Sequence, residues 1–434
     1  MAHFDVVVVG AGVLGLSTAT ELARTGRRTL LVERGEEIAG ETSAAWFRIL
    51  HGGLRYLQRL DVVRHRKSIK ARAHWLRRYP DLVQPLACLM PLYGRGLKRP
   101  WPLRAAFAID ALLASDRNAD VIAEHRLPAS RVLDIAATRA RYPAVPGAGL
   151  QGAALWHDAV VRDDRALIRV LADEARAAGA EIRTSTTVDR LVVERGRVRG
   201  VSGVDGWTAR ASAVINTAGP GSRDLAGRFD RDLPGLFRPS LAFNLLLDRP
   251  APLDAALAVQ ASRPDAPVLF VYPLDGVAYC GTWHLPWSMP VCRPEPDAAA
   301  VEAFLADLND AIPGLAATPR HVRCVFAGLL PASRSGGADL ADRPVLVDHA
   351  AHGGPIGLVS AVDVKFTTAP VLAGRIVAAL DRREGSKHRR IKPTAMATAR
   401  AGCSTEDAAG RPAGIMPPAA VPARNPGRGT RRPF

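Results

Sequence analysis

Residues 4–34, FDVVVVGAGVLGLSTATELARTGRRTLLVER, decide how the rest of the chain is read. The apolar, β-branched run Val6–Val9 predicts a strand buried on both faces. Gly10, Gly12 and Gly15 follow it, then an amphipathic helix expected over 14–24 and a second strand over 29–32 that ends at Glu33. Each glycine has its own task in such a unit: one makes the tight turn, one lets backbone approach a pyrophosphate, and one lets helix and strand pack closely. The N–H groups at the helix start face the phosphates, and Glu33 is spaced to take ribose hydroxyls. Strand, glycine turn, helix, strand and acid in this order predict an α/β dinucleotide fold. A βαβ turn without a ligand is the plain alternative.

A chain of 434 residues suggests about two domains plus extras. Its formal net charge is +16, and the region after Gly385 alone carries ten Lys or Arg against two acids. That region, 386–434, is rich in Pro, Gly, Ala and Arg and is expected to be a disordered basic tail. Its charges are dispersed, so no specific nucleic-acid partner is expected. Cys88, Cys280, Cys292, Cys324 and Cys403 show no C-x-x-C spacing, and neither a metal site nor a disulfide framework follows. The first strand starts within a few residues of Met1 and no apolar run is long enough to span a bilayer. The expected location is the cytoplasm or the cytoplasmic face of the inner membrane.

Along the chain, His51-Gly52-Gly53 interrupts a helical pattern, which points to close approach of backbone to a ligand. Residues 61–79 form a basic helix; a solvated face and a surface resting on anionic lipid both fit it. Residues 91–104 read as a loop, with a helix over 103–114 after it. From 153 the pattern is a loop, a helix over 163–179, a strand over 181–184, a hairpin over 188–204 and a buried strand from Ala211. Residues 238–285 read as antiparallel strands with Asp275-Gly276 as a hairpin turn, followed by a helix over 298–311. The segments 325–333 and 343–348 are expected to return to the first domain, and 356–380 to close it as strand, turn and helix.

These residues resemble the FAD-dependent glycerol-3-phosphate dehydrogenases, within the D-amino-acid-oxidase-like flavoproteins. The most specific piece is ILHGGLRYL at 49–57, preceded by Thr42, Ser43 and Arg48; DVVVVGAGVLG, VINTAGP at 214–220, YCGTWH at 279–284, FAGLLP at 326–331 and VDVKFTT at 362–368 support it in order. The resemblance implies a Rossmann-like FAD-binding domain and a mixed α+β substrate domain built on an antiparallel sheet. The boundaries are 1–90, 150–225 and 325–385 for the first, and 91–149 and 226–324 for the second. It also implies hydride transfer from a small hydroxylated, anionic substrate to the flavin, with electrons leaving to a quinone or another acceptor. Cofactor positions carry over to Gly10, Gly12, Gly15, Glu33, Arg34, Thr42, Ser43, Ala218, Gly219, Lys365, Phe366, Thr367 and Thr368. His51, Arg55 and Lys365 carry over to the catalytic side, and Arg48, Trp283, His284 and Arg334 to the substrate.

The departures from that pattern fall mainly on the substrate side. The family's arginine in G-x-R-P, expected to grip a phosphate, is Leu330, and the glycine pair before Lys365 is Val362-Asp363. Serines between Thr42 and Arg48 have become Ala44, Ala45, Trp46 and Phe47, and a basic tail stands where the family has a helical C-terminal domain. Leucine removes both the charge and the fork geometry of a guanidinium, which argues against glycerol 3-phosphate itself and leaves Arg334 as a candidate substitute. A helix start at Lys365–Thr368 would put positive potential by the flavin pyrimidine. For His51, two roles fit: general base for the substrate hydroxyl, or hydrogen-bond partner of flavin or loop backbone. Arg55 fits either an anion contact or a structural ion pair, and Trp283 either a specificity or a core position. Two other functions fit the same fold: an amine or amino-acid oxidase using oxygen, and an FAD-holding scaffold with a decayed site.

Overall fold

Val6 and Val8 pack into one apolar layer while Val7 and Val9 pack into another, as period-two alternation requires of a strand covered on both sides. The computed structural model describes residues 3–94, 96, 98–289 and 294–384. The chain opens with β1 (His3–Val9), α1 (Val13–Arg24), β2 (Thr29–Val32), β3 (Ile49–Leu50), α2 (Val62–Arg78), β4 (Val83–Leu92), α3 (Pro100–Leu113), β5 (Arg131–Leu133) and α4 (Ile135–Arg141). It continues through β6 (Gly152–Val161), α5 (Asp164–Ala177), β7 (Glu181–Arg183), β8 (Val188–Glu194), β9 (Arg197–Gly203), β10 (Thr208–Asn216) and α6 (Ser222–Phe229). The last part holds β11 (Pro239–Pro250), β12 (Ala256–Gln260), β13 (Val268–Leu274), β14 (Val277–Pro286), α7 (Ala298–Ala311), β15 (Val322–Pro331), β16 (Val345–Asp348), β17 (Leu358–Val362) and α8 (Ala369–Glu384).

Two sheets result. The first runs β16-β17-β10-β1-β2-β7, parallel except for its edge strand β16, with the β8–β9 hairpin joined to β10. Helices α1, α5 and α8 cover one face through Leu16, Leu167, Leu171, Leu372 and Ile376; α6 and the hairpin cover the other through Leu225, Phe229, Val198 and Val201. The second sheet runs β15-β11-β14-β13-β12-β4-β6-β3 and is antiparallel except where β12 meets β4. Within the first sheet, His349 lies 2.9 Å from Asp230 and 2.8 Å from Ser360. That Ser–His–Asp chain is structural, since Ser360 on β17 is 0% exposed and no substrate reaches it.

Three expectations change. The segment 325–333 does not return to the first sheet: β15 pairs with β11 from Pro239↔Pro331 to Leu247↔Val322 as the edge of the second. Residues 83–92 and 152–161, read as loop or as part of the first domain, form a ten-residue antiparallel pair in the second sheet. Pro85 and Pro91 hide β4 in the sequence, and the sheet tolerates them because β12 pairs with β4 only at Cys88 and Leu89. The basic helix is real, but most of its charge is spent internally. Arg64 pairs with Asp342, Arg66 with Asp116, Arg72 with Asp158 and Arg78 with Glu174. The expected tail at 386–434 lies outside the described residues, among which no helix is long and apolar enough to cross a membrane.

Candidate active site

A cleft of about 740 Å³ runs from the end of β2, past the first glycine turn, to the inner surface of the second sheet. Its size is ordinary for a cofactor or ligand site. At the deep end of β1, Gly10 takes φ +98°, and a Cβ there would stand 2.8 Å from Ala218 Cα and Thr217 O. A Cβ on Gly15 would lie 1.9 Å from Gly10 O, so helix α1 sits directly on the turn. Ser43 Oγ accepts from Val13 N at 3.1 Å, while the N–H groups of Gly12 and Leu14 meet no acceptor among the described residues. They leave the positive end of α1 open to an anion. Glu33 is fixed at the rim: Oε2 accepts from Ala11 N at 2.8 Å and Oε1 from Gly35 N at 2.9 Å. Each carboxylate oxygen keeps a lone pair for a diol hydroxyl. Arg34 lines the same end, paired with Glu41; Ala218 and Gly219 line the opposite wall. A bare turn has no need of this cradle, and the residues fit a dinucleotide.

Segment 42–47 straps the two sheets together. Thr42 Oγ1 donates to Leu329 O at 3.2 Å, Asn244 Nδ2 to Ala45 O at 2.8 Å, Tyr279 Oη to Trp46 O at 3.1 Å and Tyr272 Oη to Phe47 O at 3.3 Å. The strap thus carries Ser43 on the helix side and Trp46 and Phe47 on the other, all lining the cleft. Trp46 stacks on Phe366, centroids 3.8 Å apart. The loop behind Phe366 is held by Trp75 of α2, whose Nε1 donates to Thr367 O at 2.9 Å. Asp363, unread as functional, accepts from Val364 N at 2.7 Å and from Thr368 Oγ1 at 2.9 Å. It lines the cleft, and burial pushes its carboxyl up to about 6. Thr368 therefore turns its hydroxyl toward Asp363, and Thr367, not Thr368, lines the cleft.

The His51-Gly52-Gly53 turn is clamped from beneath. Asp158 Oδ1 accepts from Gly52 N and from Arg72 Nη1, both at 2.6 Å, and Trp156 Nε1 donates to Oδ2 at 3.0 Å. Side chains are excluded here, because a Cβ on Gly52 would be 2.2 Å from Arg72 Nη1 and one on Gly53 2.7 Å from the Tyr56 ring. His51 and Lys365 line the cleft above this turn. Around Tyr56 stand Arg64 Cζ at 4.2 Å, Lys365 Nζ at 4.3 Å and Arg55 Cζ at 5.4 Å from the ring centroid. Burial first, then Lys365, Arg55 and other cations, hold His51 well below the usual histidine range. Burial and Arg55 bring the Lys365 ammonium down to about 7, and the same two causes bring His284 down to about 4. Both imidazoles are neutral at neutral pH.

Other expected positions are not brought to this place. Arg48 is 3.0 Å from Asp164 at the start of α5 and does not line the cleft. Trp283 stacks on Phe304 at 5.2 Å within the core of the second sheet. Arg334 is exposed on the connection after β15; like Arg55 and His284 it does not line the cleft. Tyr56 and Arg64 went unread, since a basic helix pattern does not say which of its cations turns inward.

A glycine cradle with an acid for a ribose, a second sheet closing over it, and a histidine among cations define a dinucleotide-dependent oxidoreductase. A family model described as FAD dependent oxidoreductase matches residues 5–380, and the chain belongs to that family. Glycerol-3-phosphate dehydrogenase 1 of Mycobacterium bovis is 31% identical over 374 residues, which cover 84% of this chain and 70% of the relative. The glycerol-3-phosphate dehydrogenase of Bacillus halodurans, solved with FAD, matches at TM-score 0.66 and 21% identity over 89% of this chain and 66% of that one. The dithionite-reduced L-alpha-glycerophosphate oxidase of Mycoplasma pneumoniae, with FAD bound, matches at 0.64 and 20% over 88% and 95%. The protein is an FAD-dependent oxidoreductase of mixed α/β fold.

Proposed function

We propose that this enzyme oxidises a small, hydroxylated, anionic substrate of the glycerol-3-phosphate type. The observation that carries the reading is the group of cations around Tyr56 beside a neutral His51. Bound FAD supplies the hydride acceptor; the chain's own residues do the rest. Gly10, Gly12, the start of α1 and Glu33 would hold the dinucleotide, and the strap 42–47 lines the cleft between the cradle and the second sheet. Lys365 and Arg55 orient the anionic substrate. A neutral imidazole nitrogen of His51 takes the hydroxyl proton as the carbinol carbon is oxidised. The substrate's negative charge offsets the cations that hold His51 down, so its basicity rises when the substrate is in place.

Electrons then pass to a quinone or another acceptor at a membrane surface. Support for the contact is apolar more than basic: Leu60, Val62 and Val63 are exposed beside the exposed Ile109 and Leu112 of α3, with Lys67 and Lys70 near them. Arg66, which donates to Leu113 O at the end of α3 and to Asp116 just beyond it, ties the two helices into one surface. The contact with anionic lipid is thus proposed through these side chains and not through the paired arginines of α2.

The test is anaerobic bleaching of the bound flavin by glycerol 3-phosphate, glycerol and amino acids in parallel. Bleaching by the phosphate ester alone is expected. Bleaching by amino acids, or rapid peroxide release in air, would replace this reading with an oxidase.

A further inference from the structure

The array around Tyr56 contains a cation with no assigned task. Arg64, in the first turn of α2, is oriented by Asp61, whose carboxylate accepts from Arg64 N at 3.0 Å. Its side chain is 17% exposed and its guanidinium lies 4.2 Å from the Tyr56 centroid. Asp342, on the connection between β15 and β16, meets it at 2.7 Å but is itself 65% exposed, and stands 3.7 Å from Arg59. Neither Arg55 nor Lys365 has a carboxylate partner among the described residues. The Tyr56 hydroxyl is buried and meets no hydrogen-bond partner there. Leu330, which lines the cleft, offers no bond to an anion.

Such a grouping is costly without an anion, because like charges repel and an orphaned hydroxyl loses its water. Arg55 shows the cost even though it is exposed: partial desolvation, then Arg64 and Arg59, lower its proton affinity, and only Asp342 acts the other way. Arg55, Arg64 and Asp342 are therefore one electrostatic group beside Tyr56; none of them lines the cleft, and Lys365, 4.3 Å from the same ring, joins the group to the cleft wall.

Resting on the anionic-substrate reading above, we infer that Arg64 is a specificity-determining residue that grips the substrate's phosphate together with Arg55, and that Asp342 is a placeholder carboxylate the phosphate displaces. The exposed Asp342 holds the fork in position and gives way, because a dianion with three acceptor oxygens satisfies two guanidiniums better than one shared carboxylate does. Arg64 thereby does from α2 what Leu330 cannot do from β15.

The experiment uses the FAD-loaded full chain, with anaerobic flavin reduction by glycerol 3-phosphate and competition by inorganic phosphate. Arg64→Gln should raise the half-saturating ester concentration about 10- to 100-fold, the worth of a charge-assisted pair, while the rate at saturation changes less than about threefold. Asp342→Asn should move half-saturation the opposite way, at least about twofold tighter. Phosphate should compete in the wild type and lose that competition in Arg64→Gln. Unchanged half-saturation in Arg64→Gln, or weaker binding in Asp342→Asn, overturns the assignment and makes the pair a structural bridge. Should Arg64→Gln fold poorly, the sign of the Asp342→Asn effect decides alone. If the ester does not reduce the wild-type flavin, phosphate binding followed by calorimetry still separates the two ideas. Arg64-dependent binding then keeps the anion site while the substrate reading falls, and Arg64-independent binding removes both.

Discussion

Lys365→Met should make the folded protein more stable while damaging its anion site. The wild-type ammonium has its pKa brought from 10.5 to about 7 by burial and Arg55. At about 1.4 kcal/mol per tenfold change in proton affinity, that would cost the fold up to roughly 4 kcal/mol at pH 7. Water at the partly exposed amine reduces this to about 1–2 kcal/mol. The sign follows from linkage. Between pH 7 and 10.5 the unfolded chain holds this proton more tightly than the folded chain, so wild-type stability rises with pH across that window. The variant lacks the group, so its advantage should be full at about pH 7 and below and mostly closed by about pH 10. Urea midpoints of the FAD-saturated proteins, taken as a difference between variant and wild type at each pH, isolate the effect. Equal midpoints at neutral pH, or a gap that widens as pH rises, would refute the reasoning.

Asp158→Asn removes the charge opposite buried Arg72 and weakens the bond under Gly52; a loss of about 3–5 kcal/mol is expected in denaturant unfolding. Glu33→Ala should loosen FAD at least about tenfold, read from the absorbance retained after dialysis, because both carboxylate oxygens shape the ribose end. The Asp363 carboxyl, raised from 3.8 to about 6, holds its proton more tightly when folded. Wild-type stability relative to Asp363→Asn should therefore fall as pH rises across that window and stay level above it, and a flat difference would contradict the burial argument.

Local order made the first βαβ unit readable. Val6–Val9, three glycines and Glu33 lie within residues 6–33, and each acts on its neighbours in sequence. The His-Gly-Gly turn stood out as a demand for glycine, but what it makes room for is Arg72 and the Tyr56 ring rather than the ligand expected there. What sequence could not supply was long-range pairing. β15 chose the second sheet because β11 offers it an edge, and β4 was concealed by two prolines that only an incomplete neighbour tolerates. Arg64 finds Asp342 278 residues away, and no helical periodicity carries that information. Arg48 looked like part of the site by proximity to His51; its φ of +59° and its bond to Asp164 turn it elsewhere.

The strap at 42–47 is bonded at one end to the helix that opens the dinucleotide cradle and along its length to strands of the other sheet. These bonds couple the glycine cradle to the second sheet through a single short segment that also lines the cleft. Removing the Tyr272 or Tyr279 hydroxyl should therefore loosen the strap and register as fading of the yellow colour on dialysis.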